Sequence, residues 1–120
     1  FIDAQSCDII HPDLAFFGGL TGARKIADYA YQTRTPVALH NVGSIVLTYA
    51  SAHFGSAIHN FYRSESALGR PTRHVEKMVK AGAPVVQKSQ LSVPTTPGLG
   101  LDLDFDYLKS QLVPGEPWWG

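Results

Sequence analysis

Three short apolar runs in this chain each end in one ionisable residue: Ile9, Ile10, His11 and Pro12 lead to Asp13, Pro36 to Leu39 lead to His40, and Phe61 and Tyr62 lead to Glu65. The three are nearly evenly spaced, and the spacing is that of a strand followed by a crossover helix. Strands joined by helices run parallel, so their carboxyl ends share one face. An acid, an imidazole and a second acid are therefore predicted to converge there. Singly, Asp13 reads as a turn residue that bonds nearby backbone, His40 as a hydrogen-bonded structural residue, and Glu65 as a solvated loop acid. Their recurrence at one structural point of three successive units makes them a candidate site.

The segments between fit the same rhythm. Asp8 to Pro12 reads as a short buried strand, with Pro12 at its end. After the turn Phe16-Phe17-Gly18-Gly19, Thr21 is a plausible N-cap for a helix whose apolar stripe is Ala23, Ile26, Ala27, Ala30 and Tyr31, ending before Pro36. Pro36 to His40 is the second strand. Ser44 then caps a helix carrying Val46, Tyr49, Ala50, His53, Phe54 and Ala57, whose small residues predict close packing. Asn60 to Ser64 is the third strand. Beyond Glu65 the rhythm stops: Gly69-Arg70-Pro71 marks a loop, Val75 to Lys80 a short helix, Val85-Val86 and Leu91-Ser92-Val93 brief strands, and Asp106 to Leu112 a last helix. The terminal arm with Trp118 and Trp119 is expected to dock on a surface outside this chain.

A chain of 120 residues supports one modest core. Ten acidic residues balance ten basic ones, which leaves no net field to attract nucleic acid. Cys7 is the only cysteine, so no internal disulfide forms, which suits a reducing compartment. No apolar run approaches the roughly 18 residues of a membrane span. A soluble, cytoplasmic protein is expected. The chain opens on Phe1, as if already inside a helix, and reads as the carboxyl-terminal part of a larger enzyme.

Other motifs fail on their chemistry. Asp102, Asp104 and Asp106 imitate the start of a calcium loop, but Tyr107 stands at the turn glycine and Val113 at the bidentate acid. Gly98-Leu99-Gly100 lacks the third glycine of a dinucleotide site. Cys7 has no CxxC partner and reads as a small buried hydrophobe. His11, His53, His59 and His74 have no zinc spacing, and Lys77 and Lys80 read as a solvated helix face.

The ordered run His11-Pro12-Asp13-Leu14, Gly18-Gly19-Leu20-Thr21, Val37-Ala38-Leu39-His40-Asn41, Ala57-Ile58-His59-Asn60-Phe61 to Glu65, and Pro97-Gly98-Leu99-Gly100 resembles the enolase superfamily, and within it the mandelate racemase subgroup. The resemblance covers essentially the whole chain. It implies an α/β fold: the sixth to eighth strands of a (β/α)7β modified TIM barrel over residues 1–68, then a segment over 69–120 that packs on the barrel and on an α+β capping domain. By the same resemblance His40 is a general base, Asp13 its hydrogen-bonded partner, and Glu65 an acid that bonds the substrate carboxylate or its enolate form. The family's magnesium ligands and opposing lysine lie on earlier strands, so Mg2+ is implied as cofactor with no ligand in this chain, and the fragment alone is expected to be inactive. Where the family often has proline this chain has His59. Muconate-cycloisomerase and dipeptide-epimerase relatives carry lysine on the sixth strand, and Asp13 there instead favours the racemase and acid-sugar dehydratase branch.

Removing a proton beside a carboxylate creates an enediolate with extra negative charge, so the site needs a placed base and a cation. The resemblance therefore implies a magnesium-dependent lyase, an acid-sugar dehydratase giving a 2-keto-3-deoxy acid. The alternatives are a racemase or epimerase of a 2-hydroxy acid, or a noncatalytic homologue. The expected partners are a small-molecule carboxylate, the rest of the parent barrel and capping domain, and further copies in a homo-oligomer.

Overall fold

A computed structural model describes residues 1–66, 75–80, 86 and 88–119. Its elements in chain order are helix α1 (Gly19–Gln32), strand β1 (Val37–Leu39), helix α2 (Ile45–Ser56), strand β2 (Phe61–Ser64), a 3-10 turn (Val75–Met78) and helix α3 (Phe105–Ser110). β1 and β2 pair in parallel, with Val37 opposite Phe61, Ala38 opposite Arg63 and Leu39 opposite Ser64, and a bulge after Val37.

The first predicted strand is reduced to two parallel bridges, Ile10 with Val37 and Asp13 with His40. Its backbone still follows β1: Ile10 donates to Pro36, Ala38 to Ile10 and His40 to Pro12. Pro12 has no N–H to return, so the ladder breaks at that residue. β1 thus lies between this segment and β2, and Asp13, His40 and Glu65 leave the same edge.

α1 begins two residues before the predicted cap. Gly18 takes a left-handed conformation (φ 78°) at the N-cap, which most residues resist, and turns the chain directly into the helix. Thr21 falls within the first turn. Ala23, Ala27 and Ala30 are buried as the stripe predicts, whereas Tyr31 at its end is exposed. The helix stops at Gln32, and Arg34 (φ 59°) turns the chain into β1.

The Ser44 side chain caps α2 by accepting from the Leu47 N–H at 3.3 Å. The buried positions include Ile45, Thr48, Tyr49, Ser51 and Phe54, and the predicted Val46 is exposed. This helix has two buried sides because it lies between two clusters. Leu14, Ala23, Ala27, Val37, Leu39, Phe54 and Ile58 form the core under the strands. Ile45 and Tyr49 carry Met78, Val79, Leu99, Leu101 and Leu103 on the other side. Each large aliphatic or aromatic side chain so buried contributes about 1.5–3 kcal/mol. The expected close packing is present at Gly55, where a Cβ would lie 2.7 Å from the Phe61 ring.

In the carboxyl-terminal segment the short helix at Val75 is a 3-10 turn, and α3 starts at Phe105 because Asp104 caps it, accepting from the Tyr107 N–H at 2.9 Å. Leu91-Ser92-Val93 is not a strand. Left-handed Lys88 and Ser89 precede it and Pro94 follows it, and the bridge in this stretch is confined to Gln90. An antiparallel bridge also joins Val79 and Leu103. The Gly69-Arg70-Pro71 loop, Val85 and the boundary at 68/69 lie outside the described residues. Trp118 and Trp119 stack on each other at 4.7 Å and meet Phe105 edge-on, although Trp119 stays 68% exposed. Cys7 is half-buried and free, and Lys77 and Lys80 are exposed.

Candidate active site

Asp13, His40 and Glu65 meet at the carboxyl edge of the strands. Asp13 leaves the bridge segment into a tight turn in which its carbonyl accepts from the Phe16 and Phe17 N–H groups at 3.2 and 2.8 Å. One carboxylate oxygen, Oδ1, accepts from the Ala15 N–H at 2.7 Å, and the other, Oδ2, lies 2.7 Å from His40 Nδ1. Asp13 is thus a turn residue and a histidine partner at once, with one oxygen for each role. Its side chain is only 11% exposed. Burial pushes its pKa up, but the hydrogen bonds from His40 and the Ala15 amide, the positive charge His40 can carry, and the Phe16 amide outweigh it. The carboxyl is held below its ordinary 3.8.

The carboxylate can only accept, so His40 Nδ1 carries the proton and Nε2 faces the site. Across from it stands Glu65, whose Oε2 is 3.7 Å from His40 Nε2. The same oxygen accepts from the Asn41 N–H at 3.1 Å, and the Glu65 N–H donates to the Leu39 carbonyl at 2.9 Å. Asn41 is itself buried. Its side chain donates to Thr48 Oγ1 at 2.8 Å and accepts from the Gly43 N–H at 3.3 Å, which ties the loop after β1 to α2.

A fourth side chain belongs to this edge and was not among the candidates. The Nε2 of His11 lies 3.6 Å from Glu65 Oε2, and its ring meets that of His40 edge-on at 5.3 Å. Its sequence signal is the period of two: His11 and Asp13 alternate with Pro12 and so face the same side of an extended segment. Elsewhere, His53 reaches the Leu99 carbonyl at 3.2 Å, and His59 packs against Tyr31.

Among the described residues, no three His, Cys, Asp or Glu side chains come together to hold a metal ion. Magnesium demands near-octahedral oxygen ligation, and both oxygens of Asp13 are already engaged. The described residues do not fit a magnesium site.

An imidazole whose inner nitrogen is fixed by an acid and whose outer nitrogen faces a second acid, at the ends of adjacent parallel strands, is an arrangement for moving a proton. The model for enolase C-terminal domain-like proteins matches residues 1–107. This chain belongs to that family. It is 40% identical over 118 residues to the D-xylonate dehydratase of Haloferax volcanii, a match that covers 96% of this chain and 27% of that protein. Among solved structures, a mandelate racemase/muconate lactonizing enzyme-like protein from Rubrobacter xylanophilus superposes with a TM-score of 0.83 at 35% identity, covering 98% of this chain and 30% of that one. A racemase from Streptomyces coelicolor with bound magnesium superposes at 0.73 with 25% identity, covering 91% and 27%. The fold is accordingly α/β, a carboxyl-terminal portion of the mandelate racemase-type barrel. This enolase C-terminal-like chain spans about a quarter of the length of the curated relative.

Proposed function

We propose that the protein carrying this chain is a magnesium-dependent acid-sugar dehydratase in which His40 is the general base. The observation that carries this is the His40 Nδ1 contact with Asp13 at 2.7 Å, which leaves Nε2 as the nitrogen open to substrate. The 40% identity to a D-xylonate dehydratase supports the reaction class and makes five-carbon acid sugars the first substrates to try.

In this reading His40 Nε2 takes the proton alpha to the substrate carboxylate, and the electron pair moves into an enediolate. That pair then expels the β-hydroxyl as the C–O bond breaks. The leaving oxygen takes the proton from the His40 imidazolium and departs as water, and the enol left behind becomes the 2-keto-3-deoxy acid. Asp13 steadies the imidazolium while it exists, and general base catalysis of this kind supplies roughly 10²- to 10⁴-fold. Glu65 bonds the substrate carboxylate or its enolate form. Magnesium would be held by acids outside this chain and would supply positive charge to offset the developing anion. Residues 1–68 provide the end of the barrel and 69–120 the segment that returns to the capping domain. The protein works in the cytoplasm as a homo-oligomer, and this chain by itself is inactive.

The test is to incubate the full-length protein with magnesium in heavy water against a panel of acid sugars and to follow products by NMR. A 2-keto-3-deoxy product is expected. Deuterium at the alpha carbon without dehydration would make the protein a racemase or epimerase, and neither event with any acid sugar would point to a noncatalytic homologue.

A further inference from the structure

The Pro12 that interrupts the first strand leaves the Ala38 carbonyl without the N–H that a continuous parallel ladder would offer it. The Nδ1 of His11 takes that place at 3.1 Å. A carbonyl only accepts, so Nδ1 carries the ring proton and Nε2 is aimed at Glu65 Oε2, 3.6 Å away. His40 is arranged in the same way, with Nδ1 on Asp13 and Nε2 at 3.7 Å from the same oxygen. Two imidazoles with fixed inner nitrogens therefore converge on one carboxyl oxygen that also accepts from Asn41. Both outer nitrogens lie within ion-pair distance of that oxygen, at 3.6 and 3.7 Å.

We infer that His11 is a positioning residue of the active site: anchored by Nδ1 to Ala38, it uses Nε2 to hold the Glu65 carboxyl in register with His40. The inference rests on the dehydratase reading for its kinetic consequence, and on geometry alone for the His11–Glu65 coupling. Among the described residues, the titratable groups facing His11 are Glu65 and His40, with Asp13 behind His40.

The competing role for His11 is to fill the ladder position and nothing more, and Pro12 allows the two to be separated. Pro12→Ala restores a backbone N–H opposite Ala38 and so makes the His11 anchor redundant for the fold. In the full-length protein, His11→Ala is expected to lower both Tm and kcat/KM, the latter by roughly 10- to 100-fold, the scale of a small misplacement at a reacting centre. Pro12→Ala in the His11→Ala background is expected to recover Tm and leave kcat/KM low. Recovery of both, or a His11→Ala variant with wild-type kcat/KM, overturns the inference. A readout that needs no turnover is the ¹⁵N signal of His11 Nε2 in histidine-labelled protein. Glu65→Gln is expected to move it, and an unmoved signal overturns the coupling. A wild-type protein that neither dehydrates nor exchanges the alpha proton defeats the dehydratase reading while leaving the ¹⁵N result to decide on His11.

Discussion

At the scale of single residues, the Asp13–His40 pair has consequences for both rate and stability. His40→Asn removes the only ring nitrogen that Asp13 orients, and in the full-length protein kcat is expected to fall by roughly 10²- to 10⁴-fold. Dehydration and alpha-proton exchange, followed by NMR, should fall together, and wild-type exchange in the variant would remove His40 from the base role. Asp13 also links stability to pH. Folding holds its carboxyl below the ordinary 3.8, so its stabilising contribution is complete above 3.8 and is lost as the pH falls through the lowered value. Asp13→Asn lacks that ionisation. Urea melts at pH 7 and pH 3 should therefore show a smaller acid-induced loss in the variant than in the wild type, and equal losses would mean that the contact stores no such energy. Asp13, His40 and Glu65 were legible in the sequence because strand ends in successive parallel units must share a face. His11 was not, because its place depends on a backbone donor that Pro12 lacks.

At the scale of elements, the turn that carries Asp13 is welded to the start of α1. The Phe16 and Phe17 amides bond the Asp13 carbonyl, Gly19 bonds Leu14, and Gly22 bonds Gly18. A Cβ on Gly22 would stand 2.2 Å from the Phe17 carbonyl oxygen, a backbone atom that cannot swing aside. Gly22→Ala gains up to about 1 kcal/mol of helix propensity and meets an overpacking cost of roughly 1–3 kcal/mol. The expected outcome is a lower Tm with a lower kcat, since relief of the clash moves the loop bearing Asp13. A variant more stable than wild type in thermal melts would show that the turn yields freely. The same region shows why helix existence was easier to read than helix face. The stripe in α1 has a polar side and an apolar one, and its alanines are buried as expected. α2 is apolar nearly all round because a second cluster, fed by residues from 78 to 103, covers the side opposite the strands, and no local pattern announces a partner that distant. The caps followed the same logic: Ser44 was visible as a side-chain cap, while Gly18 caps through its backbone angle alone.

At the scale of the whole molecule, the exposed strand edge and the charge of the site bear on the proposed function. A radius of gyration of 15.9 Å exceeds the roughly 14 Å expected of a compact domain of this length. β2 leaves Phe61 and Tyr62 40% and 50% exposed, where a closed barrel would cover them. The parallel rhythm was readable from sequence because every unit repeats one local rule, and the barrel type followed from the family resemblance. The brief strand expected at Leu91-Ser92-Val93 is not present, since left-handed Lys88 and Ser89 and then Pro94 bound it closely. The charge argument leads to the last prediction. In the proposed reaction, proton abstraction beside a substrate carboxylate would build negative charge within reach of Glu65, and Asp13 lies just behind His40. Among the described residues, two imidazoles face Glu65 Oε2. The proposed magnesium would supply cationic stabilisation from ligands on the family's earlier strands. Chelation of the full-length protein is accordingly expected to abolish both dehydration and alpha-proton exchange, and added magnesium to restore both. Full activity after complete chelation would take magnesium out of the reaction.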